Sequence, residues 1–251
     1  MKPTKFFACA VALVAIAGCN SKQGDAATNA PVNMPPVAAP KSGDWTEVVS
    51  ETPAGGFMMG NPKAKVQLIE FGSMTCPHCR EFDETGVTPL LSEYVKTGDV
   101  SYEFRNYVRD AFDLAASLVA RCNGAMTFFP MERALYKDQP NWVGKIQAAP
   151  QSQLEGLQSL PPTQQFLEIA KIAGLQQWAA MRGVPEAKTT QCLTNEKSVD
   201  QLVQMTSDAT TQFPEFQGTP TFIINGKLFP IQVGSPAWDQ VKAELNKALG
   251  R

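Results

Sequence analysis

Apolar residues along this 251-residue chain are grouped in runs whose spacing changes with position. The first run, Phe6 to Ile16, follows Lys2 and Lys5 and ends in small residues. Residues 20–43 then hold four prolines among alanine and polar residues, with no aromatic side chain, which predicts an extended tether without a packed core. From Trp45 the pattern becomes that of a folded body. Trp45 to Val49 reads as a short strand, and Pro53 to Gly56 and Gly60 to Pro62 as turns. Val66 to Phe71 is a β-prone run of the kind buried in a sheet. Phe82, Val87, Leu90, Leu91 and Tyr94 recur at helical spacing after Pro77, and Val100 to Tyr107 reads as the next strand. Strand, helix and strand in that order make a βαβ unit.

Residues 109–212 contain helical patterns and no strand-like run. The predicted helices are Asp110 to Cys122, Pro130 to Lys137, Thr163 to Ala173, Leu175 to Met181, Pro185 to Leu193 and Asn195 to Gln212. Phe128, Phe129, Trp142 and Trp178 in this region read as core. Near the end, Thr221 to Asn225, Gly226 and Lys227 to Phe229 form a strand, an Asn-Gly hairpin turn and a second strand. A closing helix follows Pro236 with Trp238, Val241, Leu245 and Ala248 on one stripe.

A hydrophobic content of 43% with 18% charged residues describes an ordinary globular chain, and a net charge of −2 opposes a nucleic-acid binder. Six cysteines stand against one histidine, His78. That scarcity excludes multi-histidine zinc catalysis and a Ser-His-Asp triad elsewhere in the chain, so sulfur is the candidate chemistry. Cys76-Pro77-His78-Cys79 lies where the first long strand hands over to its helix, and a CxxC in a βαβ setting reads as a redox motif. Cys76 at the helix start has unpaired N–H groups and the helix dipole to stabilise its thiolate, which makes it the attacking sulfur. His78, when protonated, adds positive charge beside it. Cys79, one turn on, can resolve a mixed disulfide. Glu70, six residues before Cys76, falls on the strand beneath the pair, where a buried carboxylate can exchange a proton with Cys79. Arg80 stands where a c-type haem site needs histidine, and Cys122 and Cys192 form no second CxxC to complete a zinc site. No metal or dissociable cofactor is expected.

The amino-terminal run has the charged and apolar regions of a secretory signal. Ile16-Ala17-Gly18-Cys19 resembles a bacterial lipobox, which implies removal of residues 1–18 and lipidation of Cys19. Asn20 is similar to the outer-membrane sorting pattern of such lipoproteins. Cleavage without lipidation is the simpler alternative. In an oxidising compartment the leftover pair Cys122 and Cys192 is expected to bond rather than remain free.

CPHC, Gly218-Thr219-Pro220 before a strand, and the hairpin-helix ending together resemble the DsbA-like branch of the thiol:disulfide oxidoreductases. The resemblance implies an α/β thioredoxin-like fold with an inserted all-helical subdomain: residues 44–108 and 213–251 for the thioredoxin-like part, 109–212 for the insertion and connecting helix, and 19–43 for the tether. It also implies a cis peptide before Pro220 facing the cysteine pair, with Thr219 pairing substrate backbone. Glu70 matches the buried acid of the oxidases, whereas Thr before the proline is similar to the isomerases. The expected protein is a monomeric, envelope-facing, lipid-anchored disulfide oxidase reoxidised by a membrane partner of the DsbB type. An isomerase or reductase is the alternative within the class, and a non-catalytic binding or metal-delivery lipoprotein the alternative outside it.

Overall fold

The computed structural model describes residues 37–251. The expected signal sequence 1–18, the lipidation site Cys19 and the tether up to residue 36 lie outside the described residues.

Six strands form one sheet in the order β1-β2-β4-β3-β5-β6: β1 Val49–Glu51, β2 Phe57–Met59, β3 Val66–Gly72, β4 Val100–Asn106, β5 Thr221–Ile224 and β6 Lys227–Phe229. Only β3 and β4 run parallel, with Val66 opposite Val100 and Gly72 opposite Asn106. A parallel pair needs a crossover, supplied by α1 Pro77–Phe82, α2 Thr88–Leu90 and the π-type turns Asp83–Val87 and Leu91–Val95 around them. Pro89 removes a backbone donor there, and the ladder is irregular on either side of it. The predicted apolar face survives these turns: Phe82, Val87, Leu90 and Tyr94 are buried. Gly72 closes β3 where a Cβ atom would lie 2.4 Å from the Phe104 ring, so only glycine fits without displacing it.

The expected strand at Trp45 to Val49 is corrected. Trp45–Glu47 is a 3₁₀ turn, and β1 starts at Val49. Asp44 is the reason: its carboxylate accepts from the Thr46 N–H at 3.0 Å and caps a helical turn. β2, between the two predicted turns, is an additional strand.

The helical region comprises α3 Ala111–Arg121, α4 Ala125–Lys137, α5 Gln139–Gln147, α6 Gln151–Leu157, α7 Pro162–Ala173, α8 Leu175–Ala180, α9 Glu186–Leu193 and α10 Glu196–Gln212. The helices α5 and α6 were not expected from the pattern, and α4 starts five residues before Pro130, which lies inside it. Phe128, Phe129, Trp142 and Trp178 are all buried in the main core, as expected of core residues. Ala209 of α10 joins Phe71, Phe213 and Ile223 in a second cluster. The closing helix α11 Ala237–Leu249 buries Trp238, Val241 and Leu245, and Trp238 packs against the rings of Phe82 and Tyr94. This arrangement leaves one crowded junction, where the end of β3 meets the start of α1.

Candidate active site

At that junction Cys76 is the N-cap of α1, with extended φ and ψ of −81° and 122°, and Pro77 occupies the first turn. Proline suits that position because its missing N–H would have had no helical partner. The Cys76 carbonyl accepts the first helical bond from the Arg80 N–H at 3.2 Å. Cys76 and Cys79 are both free and buried, so the pair is in its dithiol form. The loop before β5 closes over them from 143 residues away: the Cys76 thiol donates to the Thr219 carbonyl oxygen at 3.2 Å. The Thr219–Pro220 peptide is cis, as the resemblance implied.

The two sulfurs are pushed in opposite directions. Cys76 is lowered from 9.0 to about 5, first by a hydrogen bond from the Cys79 thiol, then by the Thr219 side chain and the N–H groups of Cys79 and His78; burial opposes these. Once Cys76 ionises its thiol can no longer donate to the Thr219 carbonyl. Thr219 Oγ1, buried and without another partner, is then the donor at hand. Cys79 is raised well above 9.0 by burial and then by the neighbouring Cys76, with the Glu70 charge adding to the same effect. Glu70 is 1% exposed and raised to about 8, by burial first and by the charges of Asp83 and Cys76 after it; the Tyr102 hydroxyl, donating to it at 2.7 Å, opposes this. Near neutral pH the site therefore holds a thiolate, a thiol and a carboxylic acid side by side.

Alkylation of the reduced protein is expected to follow one acidic ionisation, half-complete near pH 5, because Cys79 stays protonated throughout that range. The sign carries over to stability. A depressed value stabilises the folded dithiol fully above the ordinary thiol range, and this contribution is lost as pH falls through about 5. Iodoacetamide rates against pH check the first point. A half-point near 9 would remove the basis for treating Cys76 as the nucleophile.

His78 stands apart from this arrangement. Its imidazole is 76% exposed and lies 3.5 Å from Glu81, so the bond this residue offers the Cys76 sulfur comes from its backbone N–H. His78, Thr219, Pro220 and the segment Ile231 to Ala237 line an apolar cleft of about 480 Å³ beside the pair, and a second cleft of about 270 Å³ shares Thr219, Pro220 and Ile231 with it. Cys122 and Cys192 form a disulfide at the ends of α3 and α9. Cys19 lies outside the described residues.

Sequence reasoning missed the groups around Glu70. Tyr102, one strand over, holds its carboxyl. Asp83, raised by burial to about 6, accepts from Arg133 at 3.2 Å, and Glu132 is held well above its ordinary range by burial. Asp83, four residues past Cys79 in the turn that follows α1, is close to the motif in sequence. Glu132, on α4, had no such signal.

A thioredoxin-like sheet with a helical insertion and a CxxC dithiol at a helix start defines the class of the protein. The family model described as Thioredoxin matches residues 52–248, and the chain belongs to that family. Among solved structures, it is 29% identical to a protein-disulfide isomerase from Novosphingobium aromaticivorans, with a TM-score of 0.72 over 77% of this chain and 97% of that one. The α-DsbA1 of Wolbachia pipientis, 22% identical, shares the fold with a TM-score of 0.59 over 77% of this chain and 90% of its own. A Rickettsia felis protein named "Putative protein-disulfide oxidoreductase" is 27% identical over 194 residues, 77% of this chain. The chain spans 60% of the length of that relative.

Proposed function

We propose that the chain is a protein thiol:disulfide oxidoreductase, and that it works as a disulfide oxidase on reduced proteins. The observation that carries this reading is the placement of Cys76 as the N-cap of α1 beside a fully buried Cys79, which ionises the first sulfur and keeps the second protonated. A stabilised thiolate favours the dithiol form, and a protein that favours its dithiol form is an oxidant toward others.

A substrate thiolate attacks Cys76 Sγ of the oxidised pair, forming a mixed disulfide and breaking the Cys76–Cys79 bond. Cys79 leaves as a thiolate and takes a proton, for which protonated Glu70 is the nearby donor. A second substrate thiolate then attacks the substrate sulfur and expels Cys76 as a stable thiolate. Two electrons pass from the substrate to the pair. Thr219 beside Pro220 offers backbone to an extended substrate, and the adjoining apolar cleft gives a neighbouring side chain a place to bury.

Reoxidation requires an electron acceptor, and a quinone-linked membrane protein of the DsbB type fits that need. The lipobox-like Cys19 supports anchoring to the cell envelope, with Asn20 pointing to the outer membrane. Monomeric action is the simplest reading. Isomerase or reductase activity is the second reading, favoured by Thr219 and by the name of the Novosphingobium relative.

The equilibrium constant of Cys76–Cys79 with glutathione separates them, measured with Cys122–Cys192 intact and replaced. An oxidase is expected to sit near DsbA's value of about −120 mV, and a value near thioredoxin's, about −270 mV, would sink the oxidase reading.

A further inference from the structure

The loop Ser73 to Cys76 joins β3 to α1 and carries the nucleophile. Within the loop there is a turn, with the Cys76 N–H donating to the Ser73 carbonyl at 3.1 Å. Four further bonds to its backbone come from the helical insertion. Asp113 of α3 accepts from the Met74 N–H at 2.8 Å. Tyr136 of α4 donates its hydroxyl to the Ser73 carbonyl at 3.2 Å. Gln139, the first residue of α5, donates from Nε2 to the Met74 carbonyl at 2.7 Å and to the Cys76 carbonyl at 3.0 Å. Gln139 is 5% exposed.

We propose that Gln139 is a positioning residue for Cys76: one amide group pins the carbonyls on both sides of Thr75 and fixes the orientation in which the nucleophilic sulfur is presented. This rests on the redox reading of the dithiol above. The amide has two hydrogens and meets two carbonyl oxygens, so all of its donor capacity is spent on this loop. The Cys76 carbonyl it holds is also the acceptor of the first bond of α1, from Arg80. Holding that carbonyl fixes the peptide joining Cys76 to Pro77, and with it the direction from Sγ to the N–H groups of His78 and Cys79. Gln139 thus acts on the sulfur without touching it, and it ties the geometry of the dithiol to the seating of α5. Asp113 supports the same loop from the amide side. Because it also accepts from the Arg109 N–H and Asp110 Oδ1 accepts from its own N–H, its bonds are shared with the start of α3, and Gln139 is the cleaner test.

Gln139→Met keeps most of the volume and removes both donors. In the full chain, reduced at the active site, the ultraviolet absorbance of the Cys76 thiolate is expected to titrate at higher pH. The thiolate fraction at pH 5 is expected to fall at least threefold. The equilibrium constant with glutathione should move about tenfold toward the disulfide form, which is about 30 mV for a two-electron couple. A residue with a merely structural role would lower the melting temperature and leave the titration unmoved, and that outcome overturns the proposal. If the methionine variant does not fold, Gln139→Asn decides. Its amide is neutral but one methylene shorter and cannot span both carbonyls, so a Cys76 titration identical to wild type in that variant also overturns the proposal, and a raised one supports it. The readout is independent of turnover. Wild type without oxidase activity would defeat the proposed function alone, and an active wild type with an unmoved titration would defeat the positioning role alone.

Discussion

Cys76→Ser is expected to reduce thiol:disulfide exchange to background, whereas Cys79→Ala should retain attack and lose release. The asymmetry follows from the ionisation states. With Cys76 near 5, about 99% of it is thiolate at pH 7, while Cys79 is held as thiol by burial. Serine supplies no comparable nucleophile, and Cys79 cannot substitute for Cys76 because it is held as the thiol and its anion is not present. In Cys79→Ala the Cys76 thiolate can still attack a disulfide of a target protein, the reverse of the oxidation step, and no Cys79 thiol is present to resolve the mixed disulfide formed. Covalent complexes should therefore accumulate on non-reducing gels and vanish on reduction. Complexes forming equally in Cys76→Ser would show that the roles of the two cysteines are reversed.

Replacing Cys122 and Cys192 together by alanine should cost about 4 kcal/mol of stability, the chain-entropy value for a 70-residue separation. The bond joins the carboxyl end of α3 to the last turn of α9. Without it those helices are held by packing alone, of which the buried Leu118, Val119 and Leu193 are part. Urea unfolding of the oxidised double variant against wild type measures the loss, and a difference below about 1 kcal/mol would place the stability of the insertion in its core. Neither cysteine is among the groups that set the ionisation of Cys76, so its acidic titration is expected to survive the change.

How much of this was legible in the sequence depends on the range of the forces involved. β3, the CPHC helix start, β4 and the β5–β6 hairpin were readable because local pattern and turn chemistry agree there. Asn225, at φ 48°, and Gly226, at φ 77°, adopt the left-handed turn that the Asn-Gly pair announces. β1 and β2 were harder. Each has three residues, too few for alternation to register, and Phe57–Met59 is buried at every position. α5 and α6 carry Pro140, Gly144 and Gly156, which weaken a helical pattern that tertiary packing restores through Trp142, Ile146 and Leu157. At the site, the cysteines and Glu70 declared themselves by spacing. Gln139 did not, because its partners are backbone oxygens 63 and 65 residues away, and backbone atoms leave no signature in a sequence.

The separations within the fold also set an order in time. A chain emerges amino end first, at about 5–20 residues per second. Cys76, Cys79 and Cys122 are therefore all exposed on the growing chain for roughly 4 to 14 seconds before Cys192 is made, given the 70 residues between the bonded pair. In that interval every disulfide within the chain other than Cys76–Cys79 is a wrong one. Gln139 follows Cys76 by 63 residues and Thr219 by 143, so the groups that orient and ionise the nucleophile arrive after it. The newly made thiol is an ordinary, slow one, and the protein becomes reactive only as its last strands and helix close over the site.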